Sequence, residues 1–177
     1  MTFDWHVFIF LGECEVSISI NFPIGLLNGP IANTINETLT GIVKYAIQRS
    51  KYPKMCLHVQ VIVLSGKGEQ LISLMSNCII LALLDSGILM HHLPISACLA
   101  LLPNGCIVVD PTEPELDEAK SCFDVVVDAT AKNEEVISFN LKGTCLPDDV
   151  TRALNAAKPV CKVMAEFMRQ VLDKNRN

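Results

Sequence analysis

The sequence predicts a single α/β domain of the α+β type. The chain has 177 residues, a length at which one domain buries roughly 70% of the surface that its unfolded form exposes. Half of the residues are apolar and only 19% are charged, which excludes a disordered chain. Segments with a two-residue apolar period alternate with segments of helical period, in the order strand, helix, strand, helix, several strands, helix.

The first two elements are predicted from apolar spacing. A half-buried strand is expected over 13–22, where apolar residues alternate with small or polar ones. The next helix is expected to begin at a capping box formed by Thr34 and Glu37. Apolar residues at helical spacing carry it to about Ser50.

The next two elements form the most apolar part of the chain. A strand is predicted over 55–64, and a helix from about Gln70 to a C-cap at Gly87. The helix is apolar nearly all round, so it is expected to be central and buried. Polar residues, prolines and glycines interrupt the stretch 70–109, which excludes a transmembrane span of about 18 residues.

The second half is predicted as four strands and a long helix. The strand-like runs are 93–102, 106–110, 123–130 and 135–142, with a turn at 132–134 joining the last two. The final helix is expected from its cap Asp148 to Lys174, with Pro159 kinking or interrupting it. Its predicted core stripe consists of Val150, Leu154, Val160, Val163, Met164, Phe167, Met168 and Leu172.

Charge and cysteine content exclude several classes of protein. The net charge of -5 argues against a protein that holds nucleic acid by its own overall field. The eight cysteines include no C-x-x-C pair and have mostly apolar neighbours, which argues against a zinc site. Asp4 and His6 lie where a signal peptide needs basic residues. Reduced, mostly buried thiols in a cytosolic or nuclear protein are therefore expected.

One acidic segment is a candidate for metal or acid–base chemistry. Five carboxylates occur within nine residues, namely Asp110, Glu113, Glu115, Asp117 and Glu118. They can coordinate Mg²⁺ or supply an acid and a base. A solvated loop and helix start is favoured, because carboxylates stabilise the positive end of a helix.

Two further clusters favour a structural role. The loop 65–69 has two glycines and a lysine at a helix entrance, but Glu69 opposes an anion, so a solvent loop is favoured. His91 and His92 have no metal or catalytic partner at a definable spacing, so a partly exposed turn or a satisfied core pair is favoured.

A compact basic and aromatic cluster is the candidate contact for RNA. It consists of Arg49, Lys51, Tyr52 and Lys54, which can contact phosphate and base. An ordinary solvated turn is the alternative for any one of these residues.

Four motifs together resemble the RNase PH family, and specifically the eukaryotic exosome ring subunits of that family. They are C-I-I-L-A-L-L-D-S-G-I at 78–88, I-V-V-D-P-T at 107–112, E-A-K-S-C-F-D-V-V-V-D at 118–128 and V-I-S-F-N-L-K-G at 136–143. The resemblance covers about residues 14–174. It implies an RNase PH-like domain of βαβα arrangement over residues 13–177.

The N-terminus departs from the family pattern. Family members normally have several more strands before the one at 14–22, whereas here an atypical segment, residues 1–12, precedes it. An alternative start or a shortened gene model is one hypothesis. Without those strands, the first strand is expected to have an unpaired edge.

The family's catalytic residues are not matched. Active members hold phosphate with Arg and small polar residues before the second helix, but the corresponding segment 69–73 has no Arg or Lys. The two catalytic acids correspond to Leu116 and Cys122, although a slip of one residue would place Asp117 at the first position. The resemblance therefore predicts a non-catalytic subunit without metal or cofactor.

The predicted function follows from the resemblance. The chain is expected to be a structural subunit of the exosome ring, supporting 3′ to 5′ RNA processing and degradation, including rRNA maturation and turnover of mRNA and non-coding RNA. Expected partners are the other RNase PH-like ring subunits, the RNA-binding cap subunits and RNA, with contact through Arg49, Lys51 and Lys54. The expected compartments are the nucleus, nucleolus and cytoplasm, without a membrane.

Two alternatives remain open at this point. A phosphorolytic or metal-assisted nuclease would use Asp110, Glu113, Asp117 or Glu118. A self-associating nucleic-acid-binding protein outside the ring would bind RNA or DNA in a salt-sensitive way.

Overall fold

The computed structural model describes residues 14–21, 29–64, 71–130 and 135–176. The strands are β1 (Glu15–Asn21), β2 (Cys56–Ile62), β3 (Pro94–Leu101), β4 (Ile107–Val109), β5 (Ser121–Asp128) and β6 (Val136–Gly143). The α-helices are α1 (Gly29–Ala46), α2 (Leu71–Asp85), α3 (Glu113–Glu118) and α4 (Pro147–Arg176), with a 3₁₀ turn at Arg49–Lys51. The predicted α/β order is confirmed; the turn 132–134 lies outside the described residues.

The larger sheet has four antiparallel strands in the order β4-β3-β5-β6. Every residue of β3 and β5 is buried, so both faces of these strands must be covered. Both α2 and α4 pack against β3 and β5, with at most marginal contact with each other. The two helices therefore cover opposite faces of this sheet.

The smaller sheet consists of β1 and β2, which pair in parallel. Val16, Ile18, Leu57 and Val59 bury one face of it. Helix α1 packs on β1 and on α2, so α1 and α2 form a helical layer between the two sheets. The alternation predicted for the first strand is confirmed in β1, and β2 alternates in the same way.

The predicted boundaries of the first helix are wrong at both ends. Helix α1 begins at Gly29, so Thr34 lies inside it, where its carbonyl accepts a hydrogen bond from the Thr38 hydroxyl. The helix ends at Ala46 rather than near Ser50, because the next residues bond elsewhere. Ile47 forms a bridge with Met90, and the N-H of Gln48 donates to the carbonyl of Leu89.

The predicted core stripe of the last helix is partly wrong. Val163 and Phe167 are 72% and 57% exposed. The buried positions are Ala153, Ala157, Cys161, Ala165 and Met168. Small side chains let α4 lie close over the sheet, so only a narrow stripe is covered and the wider apolar face remains open.

Pro159 neither interrupts nor ends α4. The proline deprives the carbonyl of Asn155 of its helical donor. Because Asn155 is exposed, water can satisfy that carbonyl and the helix continues.

Helix α2 is less buried than predicted. Its core side is covered, and Gly87, at φ +73°, follows its end as expected. Leu74, however, is 50% exposed, and Cys78 is exposed as well. No helix among the described residues is both long and apolar enough to cross a membrane.

The eight cysteines are free thiols, but fewer of them are buried than predicted. Cys14, Cys98, Cys122 and Cys161 are buried, whereas Cys106, like Cys78, is exposed. The remaining two are half-buried. Burial raises the pKa of Cys98, so this thiol remains protonated at neutral pH.

Candidate functional site

The first turn of α2 faces a buried carboxylate of β5. Ser73 donates its hydroxyl to Oδ1 of Asp124 at 2.7 Å. Asp124 is only 6% exposed. Burial raises its pKa to about 6, although hydrogen bonds with Ser73, Cys98 and Asn140 act in the opposite direction. At neutral pH, Asp124 is therefore a partly desolvated anion next to the start of α2.

This cluster lies where the family resemblance predicts the active site. Ser73 is the last residue of the segment expected to hold phosphate, and Cys122, at one expected catalytic position, is two residues before Asp124 on the same face of β5. Cys122 is buried, which raises its pKa. Leu116 lies on α3 and is half-buried. The carboxylate present here is Asp124, which the sequence reasoning missed.

The acidic segment 110–118 forms a helix start. The N-H and hydroxyl of Thr112 both donate to Oε2 of Glu115 at 2.7 Å, which caps α3 and lowers the pKa of Glu115. Asp110 has a φ of +51°, and its N-H donates to the carbonyl of Cys98. The helix-start interpretation is confirmed. Within the described ranges, no group of three or more His, Cys, Asp or Glu side chains is arranged to hold a metal ion.

Asp128, at the other end of β5, is the centre of a hydrogen-bond network. Its Oδ2 accepts from Nδ1 of His92 at 2.7 Å and from the Tyr45 hydroxyl at 3.2 Å. Its Oδ1 accepts from the N-H of Leu93 and from the N-H and hydroxyl of Thr130. Burial raises the pKa of Asp128, but the hydrogen bonds from Thr130, Leu93 and His92 outweigh it and lower the pKa to about 2.

The network fixes the position of His92, whereas His91 lies outside it. The His92 ring stacks on Tyr45 with centroids 4.3 Å apart, and its side chain is 41% exposed. His91 is exposed. The predicted partly exposed turn is confirmed, and the network fastens the end of α1 to the start of β3 and the end of β5.

The structure brings the predicted RNA-contacting residues together in one turn. Nε of Arg49 donates to the carbonyl of Cys14 at 2.9 Å, so this guanidinium fastens the turn to the start of β1. The Tyr52 hydroxyl accepts from the N-H of Leu89. Lys51 and Lys54 are exposed on the same turn, with Lys54 at φ +61°. Two exposed ammonium groups on a fastened turn suit phosphate contact, which remains a prediction. The glycine loop 65–69 lies outside the described residues.

Comparisons of sequence and of fold both find similarity to Rrp46 proteins. No protein-family model matches the chain. Over 171 residues, the chain is 21% identical to the exosome complex component rrp46 of Schizosaccharomyces pombe, a match that covers 94% of the chain and 74% of that protein.

The fold is similar to that of a second Rrp46 protein. A crystal structure of rice (Oryza sativa) Rrp46 superposes with a TM-score of 0.78 and 19% identity, covering 90% of this chain and 73% of the rice chain. Both comparisons agree with the resemblance predicted from the motifs: the chain is similar to an exosome component in sequence and has the fold of rice Rrp46.

Proposed function

We propose that this chain is a non-catalytic structural subunit of the RNA exosome ring that supports RNA processing and degradation, with residues 13–177 as its domain. The similarity to an exosome complex component over 94% of the chain carries the proposal. The matching fold supports it. The chain then acts through the surfaces that it offers to other exosome subunits.

The chemistry of the β5 cluster supports the lack of catalysis. Cys122 and Leu116 stand where the resemblance places the family's catalytic carboxylates, and neither can hold a metal ion or move a proton as a carboxylate does. Asp124 lies beside the start of α2 and hydrogen-bonds Ser73. A buried negative charge at this place repels phosphate, the co-substrate of phosphorolysis.

Partners and compartments follow from the role in the ring. The chain pairs with RNase PH-like neighbours and meets the RNA-binding cap subunits and RNA within the complex. The turn with Arg49, Lys51 and Lys54 contributes phosphate contacts. The complex is expected in the nucleus, nucleolus and cytoplasm.

Affinity purification tests the ring assignment. The tagged chain, expressed at its natural level, should recover the other ring subunits in near-equal amounts at moderate salt. An unrelated tagged protein of similar size serves as the control. Recovery of the chain alone, or only as a self-associated oligomer, would contradict the proposal.

An activity assay tests the absence of catalysis. Purified chain and reconstituted ring are incubated with RNA and inorganic phosphate, and released nucleoside diphosphates are measured. None above background is expected from the chain. Phosphate-dependent release that is lost in Asp117→Asn would overturn the proposal in favour of a phosphorolytic enzyme.

A charge reversal tests the RNA contact. In the assembled ring, Lys51→Glu with Lys54→Glu should weaken RNA binding and reduce the slope of log affinity against log salt by about one per lost phosphate contact. Lys174→Glu, an exposed site at the end of α4, is the matched control. An unchanged salt slope in the double variant would remove this turn from the RNA path.

A further inference from the structure

The outer edge of β2 carries backbone groups that no described strand pairs with. The N-H of Glu15 donates to the carbonyl of Met55, and the N-H of Val63 donates to that of Asn21. In this parallel register the odd-numbered residues of β2 bond to β1. The N-H and C=O groups of His58, Gln60 and Ile62 therefore point away from β1, and among the described residues β2 pairs with β1 alone.

An apolar groove of about 290 Å³ runs along this edge. One wall is β2 from Val59 to Leu64, and the other is the outer side of α2, including Leu74 and Cys78. Ile62 and Leu64 are exposed to 63% and 86%. Among the described residues, none of those that line the groove is Asp, Glu, Lys or Arg.

The same groove explains why α2 is less buried than its composition predicts. Leu74 and Cys78 are exposed along this groove, where a further strand beside β2 would cover them. A strand beside β2 would place alternate side chains on this part of α2 and the others toward solvent. It would also satisfy the outward backbone groups, which repeat every second residue, about 6.8 Å apart.

We propose that the β2 edge is a strand-addition site, occupied in the assembled complex by an extended segment of a neighbouring protein chain. The segment carries apolar side chains at the alternate positions that face α2. A regular row of backbone donors and acceptors matches another backbone better than it matches a small ligand or a helix. The edge also lacks the lysines and prolines that protect natural edge strands. The inference rests on the proposed function, since the ring supplies the neighbour.

Gln60→Pro tests the hydrogen bonds directly. The N-H of Gln60 points outward, so proline removes a donor to the added strand and none of the bonds to β1. Gln60→Thr keeps the N-H and is the matched control. Co-expressed with tagged ring subunits, Gln60→Pro should be recovered at least about tenfold less than Gln60→Thr. Both variants should melt within a few degrees of each other.

Leu74→Glu tests the groove without touching the β-strand, in case Gln60→Pro fails to fold. A carboxylate in the apolar groove should reduce recovery with the ring by a similar factor. Val163→Glu, at an apolar position on α4 that is 72% exposed compared with 50% for Leu74, is the control and should be recovered normally. Equal recovery of Leu74→Glu and Val163→Glu would overturn the proposal.

Hydrogen exchange identifies the occupant. In the complex, the amides of His58, Gln60 and Ile62 should exchange at least about tenfold more slowly than in the isolated chain, and those of the odd-numbered residues should change little. Slow exchange already in the isolated monomer would show that the chain covers its own edge. Protection that appears only with a dimeric mass would show a second copy; both outcomes overturn the proposal.

The outcomes separate this inference from the proposed function. If the wild-type chain does not enter the ring, the proposed function fails. If it enters, and Gln60→Pro and Leu74→Glu enter equally well, the ring assignment stands and the strand-addition site is wrong.

Discussion

Each end of β5 holds a buried aspartate, and the pKa values of the two carboxyl groups are shifted in opposite directions. Asp124 and Asp128 are 6% and 1% exposed. The pKa of Asp124 is raised to about 6, whereas that of Asp128 is lowered to about 2. Burial is the largest single influence on both groups and raises both pKa values. The difference therefore comes from the hydrogen-bond donors that each carboxylate meets.

Asp128 accepts five hydrogen bonds, two of them from backbone N-H groups, which cannot move away. Asp124 depends on the side chains of Ser73, Cys98 and Asn140, of which a thiol is a weak donor. The Asp128 end therefore has a structural role: its hydrogen bonds link the end of α1 and the start of β3 to β5. The Asp124 end, where the motif resemblance predicts an active site, retains a carboxylate that is costly to bury, as functional sites or their remnants often do.

The largest effect is expected from Asp128→Ala. This change leaves the buried N-H of Leu93 without its acceptor, and likewise the half-buried Tyr45 hydroxyl and His92 ring. The free energy of unfolding should fall by about 3–5 kcal/mol. Chemical denaturation at pH 7 measures this, with Asp173→Ala on the exposed face of α4 as a control that stays within about 0.5 kcal/mol. A cost equal to that of the control would contradict the role of the network.

Asp124→Asn should instead increase the free energy of unfolding. The folded pKa of Asp124 is above its ordinary value of 3.8, so the folded state binds the proton more tightly and stability falls as pH rises from about 4 to about 6. The variant removes this loss and should be more stable than the wild type by about 1–3 kcal/mol above pH 6.

Below pH 4 the advantage of Asp124→Asn should disappear, because the wild-type carboxyl is then protonated in both states. Denaturation curves at several pH values between 3 and 8 measure the difference. An advantage that does not depend on pH would show that repacking, and not the charge, is responsible.

Ser73→Ala should lower stability by an intermediate amount. It removes one of the few donors to Asp124, so the pKa of Asp124 should rise further above 6, and stability at pH 7 should fall by about 1–2 kcal/mol. Carboxyl chemical shifts followed by NMR titration give the pKa. Ser86→Ala, beyond the other end of α2, is the control and should leave that pKa unchanged.

Much of the fold is predictable from apolar spacing, because β1, β2 and the strands of the larger sheet each alternate or lie in short apolar runs. The helix boundaries are less predictable. Thr34 and Glu37 have the spacing of a capping box, but the helix starts at Gly29. Val163 and Phe167 have core spacing on α4, yet spacing cannot show how wide a face the neighbouring sheet covers.

The candidate site is less predictable than the fold. Tyr45 and Asp128 are 83 positions apart, and only the fold brings them together. The run C-F-D-V-V-V-D shows two aspartates in an apolar strand, which is a signal of functional or structural constraint. It does not show which aspartate meets backbone donors, because the partners come from other elements.

The smallest effect on stability is expected from Tyr45→Phe. Its comparison with Ser73→Ala tests whether the number of hydrogen-bond donors distinguishes the two ends of β5. The phenol is one of five donors to Asp128, at the longer end of the hydrogen-bond range, and the ring that stacks on His92 is retained. The loss of stability should be about 0.5–1 kcal/mol, smaller than for Ser73→Ala, because Asp128 keeps four donors whereas Asp124 loses one of three. Urea denaturation of both variants at pH 7 makes the comparison, and titration should show the pKa of Asp128 still below its ordinary value. If Tyr45→Phe costs more than Ser73→Ala, then the number of donors is not what distinguishes the two carboxylates, and the stacked His92 ring must depend on the Tyr45 hydroxyl for its position.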